Sequence, residues 1–313
     1  MFRALYTAAS GMTAQQLNLD NIANNLANSG TTGFRAQRLQ FEDLLYQNLV
    51  TPGSAATQQT TIPEGLQVGL GTRTASAESL QQQGDFDNTG NSLDMAIQGQ
   101  GFFQIRLPSG DVAYTRDGAF HLDQNGNIVT ADGNPLDPAV TIPTNATSIS
   151  IGSDGTISVT LPGQTQAQQV GSIQLALFPN PGGLSNLGGN LLYPTTASGD
   201  AILGTPGGTE GLGTIQQGML EESNVNVVEE FVQMIVAQRS YEANSRVIQA
   251  ADQMITTAQS NRSLRPSEPL HATAQQIRRS HAALPAGLRG RQATRALGRR
   301  TCPIDACLSC HIH

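Results

Sequence analysis

Lysine and tryptophan are missing from this chain: all 17 basic residues are arginine, and aromatic side chains are only 4% of 313 residues. A chain this long has material for two domains and a real core. With so few large rings, and with 33 glycines beside abundant Gln, Asn, Ser and Thr, its composition suits β-structure rich in turns, joined to polar surfaces that meet other protein. Cysteine is absent before Cys302. That excludes a thiol catalytic dyad and a disulfide framework from the body, and it is compatible with a protein exported unfolded. No stretch approaches eighteen consecutive apolar residues, which excludes a single-helix membrane span. The start also lacks a basic run followed by an apolar stretch and a small-residue cleavage site, so no cleaved secretory signal is expected. Basic charge is scarce where it would matter for nucleic acid. Residues 1–262 carry nine Arg against 22 Asp and Glu, a net of −13, whereas residues 263–313 carry eight against two, a net of +6. An acidic body argues against phosphate backbones as partners.

What is present is periodicity at both ends. Leu5, Met12, Leu19 and Leu26 recur every seventh residue, with Ala8, Ala9, Ile22 and Ala23 between them. Leu220, Val227, Met234, Tyr241, Ile248 and Ile255 keep the same step, and Ala237, Ala251 and Ala258 stand three positions after members of that row. Both patterns predict helices with a narrow apolar seam, the first over 2–28, the second over about 227–260. Asn28-Ser29-Gly30 predicts a left-handed stop for the first helix. Asn226 with Glu229 predicts a reciprocal capping box for the second. Asn18, Asn21, Asn24, Asn25 and Asn28 each disfavour the first helix by roughly 0.6 kcal/mol relative to Ala. That helix is therefore expected to be frayed alone and ordered by packing in an assembly; the plainer alternative is a surface helix with its amides in water.

Residues 39–49 predict a short helical or extended arm, followed by a Thr/Gln/Ala/Ser stretch bordered by Pro52 and Pro63. From Gln67 to about Gly213, turn signals such as Asp123-Gln124-Asn125-Gly126-Asn127 and Asp132-Gly133-Asn134-Pro135 separate short apolar runs, the pattern of an all-β domain. The expected organisation is α+β. A terminal helical domain (1–45 and 214–262) pairs as a coiled-coil-like layer, an extended insertion covers 46–66, and a central β domain covers 67–213. Residues 263–313 form an Arg- and Cys-containing tail expected to lack fixed structure.

No residue set predicts catalysis or a cofactor. Asp85, Asp87 and Asp94 lie among Gly84, Asn88 and Gly90 and read as turn formers. Asp123–Asn127 lacks the ligand series and terminal Glu of a calcium loop. His121 has no Cys partner, and Gly99-Gln100-Gly101 has neither a third Gly nor a following helix. Cys302, Cys307, Cys310, His311 and His313 have the residue types of a zinc site, but the Arg-rich tail around them has no apolar periodicity, so no metal site is expected.

Five blocks carry a family resemblance. Leu17–Asn28 with Thr31-Thr32-Gly33-Phe34-Arg35, then Asn91–Phe103, Tyr114–Phe120, Ser223–Phe231 and Gln238–Asn244 are similar, in that order, to the signatures of the axial rod and hook proteins of the bacterial flagellum. Asp43-Leu44-Leu45-Tyr46, the insertion after it and Gly65–Gly71 resemble the distal-rod branch. The resemblance implies a structural subunit, not an enzyme, that leaves the cell through the flagellar type III export apparatus and polymerises with copies of itself into a hollow helical tube across the periplasm. It also implies proximal rod proteins, the hook protein and the P-ring and L-ring proteins as partners, a rigidifying role for 46–66, and an assembly interface on the seam residues Leu5, Met12, Leu19, Ile22, Leu26, Val227, Met234, Tyr241, Ile248 and Ile255. A proximal rod or hook subunit is the nearest alternative. A secreted β-rich enzyme cleaving cell-wall glycan would require two carboxylates about 5–10 Å apart, and a binding module with a helical stalk would give closed dimers.

Overall fold

A computed structural model of the chain describes residues 2–53, 62–164, 166–208 and 211–263. Helix α1 (Phe2–Ala27) opens it and helix α2 (Val227–Ser263) closes the described part, with β-structure between. At 1.5 Å per residue, the 37 residues of α2 span roughly 55 Å.

The asparagines of α1 are explained by what they hold. Asn25 clamps the start of the next strand with both ends of its amide: its Oδ1 accepts from the Gln37 N–H at 3.0 Å and its Nδ2 donates to the Gln37 carbonyl at 2.9 Å. Asn21 Nδ2 donates to the same carbonyl at 2.6 Å. Their low helix propensity is offset by tertiary hydrogen bonds in a partly buried place. The helix does not end on a left-handed residue as Asn28 and Gly30 suggest. The Asn28 N–H is shared between the carbonyls of Asn24 and Asn25, Thr31 N–H bonds Asn28, and positive φ first occurs at Gly33 (66°). There the chain presses on the Arg116–Asp117 backbone, and a Cβ would fall 2.7 Å from the Arg116 carbonyl carbon.

The arm after α1 is extended, not helical. Strand β1 (Gln37–Asp43) leads to β2 (Tyr46–Val50); β3 (Leu66–Gly69) pairs antiparallel with β2, and β4 (Thr72–Ser79) pairs antiparallel with β1 across a bulge at Gln40/Phe41. The β1–β4 ribbon packs beside α1, where Gly71 (φ 118°) approaches Ser10 so closely that a Cβ would overlap its hydroxyl.

The central region is β-rich, as the alternation of turns and short apolar runs predicts. A six-stranded antiparallel sheet runs in the order 185–188, 191–193, 112–115, 102–106, 175–177 and 202–204, and a three-stranded sheet is formed by 148–151, 156–160 and 168–172. Alternation along a strand sends neighbouring rings to opposite faces. Phe103 enters the main core with Met95, Ile105, Phe120, Ile157 and Leu175 and meets Phe120 edge-on at 5.2 Å. Phe102 joins Tyr114 and Phe178 in a second cluster. Aliphatic residues supply most of the main core, in keeping with the scarcity of aromatics, while the second cluster is built on three rings and Ala176. Pairing continues past 213: Thr214–Gln217 joins Met95–Gln98, and Met219–Glu221 joins Phe86–Asn88.

At the start of α2, Asn226 Oδ1 accepts from the N–H groups of Val228 (3.1 Å) and Glu229 (3.4 Å), a side-chain N-cap. The reciprocal half of the expected capping box is replaced, since the Glu229 carboxylate accepts from Gln233 Nε2 at 3.5 Å, one turn on.

Candidate assembly surface

The two helices touch. Asn25 Nδ2 donates to Glu230 Oε1 at 3.0 Å, and a Cβ on Gly11 would sit 2.9 Å from Asn244 Nδ2. Fourteen residues separate these points on each helix, in opposite directions, so α1 and α2 run antiparallel past one another for roughly 20 Å. The less exposed positions of α2 between Glu230 and Ile255 are Glu230, Met234, Ala237, Ser240, Asn244, Ser245, Ile248, Ala251 and Ile255, mostly three or four residues apart along one side of the helix. Of the sequence-predicted seam, Met234, Ile248 and Ile255 are half-buried, while Val227 and Tyr241 stay more exposed. On α1, Ile22 is fully buried and Leu5, Met12, Leu19 and Leu26 are half-buried.

Glu230 stands out in this contact. Its residue is 9% exposed, and its Oε2 is buried without a hydrogen-bond partner. Burial pushes its carboxyl above the ordinary carboxylate range; the Asn25 hydrogen bond opposes this and neighbouring Glu229 adds to it. A carboxyl whose folded pKa is raised contributes stability that is complete below its unfolded pKa and is lost as pH rises through the folded value. Thermal unfolding at a series of pH values should therefore show wild-type stability declining across that window. Glu230→Gln should flatten this component; an unchanged pH slope would refute the assignment.

Where the helical ends join the β-structure lies a buried ionic node absent from the sequence expectations. Glu221 Oε1 accepts from Arg35 Nη2 at 2.7 Å and from the Gly84 N–H at 3.1 Å, and Oε2 accepts from Arg116 Nε at 2.6 Å. The remaining Arg116 donors go to the carbonyls of Ile97, Gly99 and Gly101. Arg35 also donates to the Gln82 carbonyl, and burial pushes its guanidinium below its ordinary value despite Glu221 beside it. Three residues on, Asn224 Oδ1 accepts from the Ala36 N–H, while its Nδ2 donates to the carbonyls of Leu80 and Gln82. The available hint was the shortage of arginine itself, since Arg35 and Arg116 each sit inside a motif block.

The catalytic candidates resolve into structure. Asp94 is buried and accepts from Thr89 Oγ1 (2.5 Å) and Asn91 Nδ2 (2.8 Å), organising a turn. Asp87 pairs opposite Leu220 in a strand, and the Asp85 carbonyl accepts from Glu222 N–H. Asp123 and Asn125 form a hairpin turn ending in Gly126. His121 is exposed. A cleft of about 440 Å³ lies between the end of α1 and the six-stranded sheet; its walls include Arg35 and Arg116, both held by Glu221, but no carboxylate, histidine or cysteine. Among the described residues no group of His, Cys, Asp and Glu is placed to hold a metal, and no helix is long and apolar enough to cross a membrane. Cys302, Cys307, Cys310, His311 and His313, with the rest of the tail, lie outside the described residues.

Among the exposed large apolar side chains two groups stand close together in sequence: Leu45, Tyr46, Leu49 and Leu66 on and beside the β2–β3 hairpin, and Val228, Phe231, Val232, Ile235 and Val236 on the first turns of α2. Such patches mark surfaces made to meet protein.

Three stretches of the chain match described protein families. Residues 5–35 match the family described as flagella basal body rod protein, 96–159 the flagellar hook protein FlgE/F/G D1 domain, and 216–261 the flagellar basal body rod FlgEFG protein C-terminal region. The chain is 49% identical over 255 residues to the flagellar basal-body rod protein FlgG of Buchnera aphidicola subsp. Schizaphis graminum, covering 82% of this chain and 98% of the relative. It is 49% identical over 262 residues to that of Caulobacter vibrioides (83% and 100%) and 39% over 259 residues to that of Bacillus subtilis (82% and 97%). With two terminal helices enclosing a β-rich centre and likeness to rod proteins along almost their whole length, the chain belongs to the flagellar basal-body rod protein family, a family of structural components of the flagellum and not of enzymes.

Proposed function

We propose that this protein is the structural subunit of the distal flagellar rod, polymerising into a stiff hollow shaft that carries torque from motor to hook. The observation that supports this most is the near full-length likeness to FlgG rod proteins in a chain that exposes apolar side chains on both its helical and its hairpin parts. In this reading α1 and α2 form a coiled-coil-like layer in each subunit, with Leu5, Met12, Leu19, Ile22, Leu26, Val227, Met234, Tyr241, Ile248 and Ile255 as its apolar seam. The tube crosses the periplasm, and the subunit is exported through the type III apparatus. Proximal rod proteins adjoin it below, the hook protein above, and the P-ring and L-ring proteins around it.

The segment 46–66, which supplies β2 and the first residue of β3, is the stiffening device of this proposal. An extended ribbon with exposed Tyr46, Leu49 and Leu66 reaches an adjacent subunit and adds apolar contact area that resists bending. Deleting residues 46–66 should leave the β domain folded but produce curved, flexible filaments, as measured from filament curvature in electron micrographs. Straight filaments from the deletion variant would count against a distal-rod role and favour a proximal rod or hook subunit.

A further inference from the structure

The cleft between the end of α1 and the six-stranded sheet has both an apolar and a cationic lining. Phe102, Leu184 and Leu192, all part of or packed on the second apolar cluster, line it together with Arg35 and the amides of Gln81 and Asn186. Its volume of about 440 Å³ falls in the range of small-ligand sites, roughly 300–1,000 Å³. Residues 1–262 carry 22 Asp and Glu, yet among the described residues none of them lines this cleft. The local charge is unbalanced as well. Arg35 and Arg116 bring two positive charges, and Glu221 returns one. Asp117, next in sequence to Arg116, is engaged elsewhere: its carboxylate accepts from Thr32 Oγ1 at 2.7 Å, Asn190 Nδ2 at 3.0 Å and the Ala119 N–H at 3.1 Å. A net positive charge held away from water is costly until an anion meets it.

The two arginines are not equally committed. Arg116 spends its donors on Glu221 and on the carbonyls of Ile97, Gly99 and Gly101. Arg35 gives one donor to Glu221 and one to the Gln82 carbonyl; its Nε is buried without a partner, and 11% of its side chain is still open. Burial disfavours its charged form, Glu221 opposes that, and Arg116 adds to it. We infer that this cleft binds a carboxylate carried next to an apolar group, the anion pairing with Arg35 and the apolar part lying on Phe102, Leu184 and Leu192. The incoming charge brings the node to neutrality, two cations against two anions, and the charge-assisted hydrogen bond is of the strong kind. Two sources present this chemistry: an acidic residue beside an apolar one in a protein segment, or a free organic acid. The inference goes beyond the rod-subunit reading and does not depend on it.

The experiment is isothermal titration of the full-length protein with defined probes. Acetyl-Asp-Leu-amide should bind with a Kd of about 1 mM or tighter. Acetyl-Asn-Leu-amide has the same shape without the charge and should bind at least about tenfold more weakly, the worth of one hydrogen bond to a charged group. Hexanoate represents the free acid: the tighter of the two acidic probes identifies the source, and either order upholds the inference. Asn186→Asp, at an exposed position lining the cleft, should leave the circular dichroism spectrum unchanged and weaken both acidic probes about tenfold, because it sets a like charge beside them. Arg35→Gln should erase the preference for the acidic over the neutral dipeptide; if that variant does not fold, Asn186→Asp carries the test. Equal binding of the acidic and neutral dipeptides, no binding of either acidic probe, or undiminished affinity in Asn186→Asp overturns the inference. Because the readout is heat of binding and not filament formation, the rod reading stands or falls separately.

Discussion

Replacing Glu221 with alanine is expected to lower the stability of the folded subunit by about 3–5 kcal/mol, because it leaves Arg35 and Arg116 as buried guanidinium groups without a counter-charge. Glu221 is 2% exposed and is the shared acceptor of both arginines and of the Gly84 N–H. Arg116 would keep its three carbonyl partners yet lose its neutralising charge. Arg35, whose Nε is already buried without a partner, would keep little beyond the Gln82 carbonyl. Conversion through the entropy of unfolding gives a fall of roughly 10–15 °C in melting temperature for a body of this size. Glu221→Gln keeps the shape and removes the charge, so it should fall between alanine and wild type. Urea unfolding of the three proteins checks the ordering; a loss below about 1 kcal/mol for alanine would show that the node is solvated and that the buried geometry is not what holds it.

Gly118→Ala is expected to be more damaging, at about 4 kcal/mol or beyond, with loss of soluble folded protein as the outcome first seen. Its backbone, in the connection after the strand 112–115, runs against Met95, whose N–H donates to the Gly118 carbonyl at 3.0 Å. A Cβ on residue 118 would lie 1.6 Å from the Met95 carbonyl oxygen. The obstacle is backbone in the middle of the core, so no rotamer change relieves it, and either the strand pairing or the turn Asp117–Ala119 must give way. Gly30→Ala is the control. Nothing lies within 4 Å of a Cβ there, its φ is not in the left-handed region, and the change should stay within about 0.5 kcal/mol. Equal behaviour of the two variants in chemical unfolding would show that the close approach at residue 118 is absent in solution.

Neither residue was legible as important from sequence. Gly118 lies in the block Tyr114–Phe120, yet nothing in that string says that another strand, twenty-odd residues earlier, passes within van der Waals contact of its α-carbon. Glu221 sits two residues before the block that begins at Ser223, and there it reads as one more acid in an acidic body. Asn25 and Asn21 read as poor helix formers, because propensity is a local quantity and their partner, the Gln37 backbone, is set beside them only by the chain's reversal after α1. The heptad seam was readable because its period is contained in the helix itself. Its surroundings were not, since nothing local shows that Ala237 and Ala251 would be shielded while Val228 and Val232 remain exposed.

By itself, the sequence determined the kinds of element and their order: a helix wherever apolar residues recur at heptad spacing, strands wherever short apolar runs alternate with turn residues, and a cap where Asn226 precedes Val227. These are outcomes of backbone geometry and side-chain shape within a few residues, and they hold whatever lies elsewhere. The tertiary structure alone decided which face of each helix is spent inside the subunit and which stays open, and it alone brought Arg35, Arg116 and Glu221 to one point from places up to 186 residues apart. The cost of burying a charge or an amide depends on the groups around it in space, and those neighbours exist only after the chain has folded.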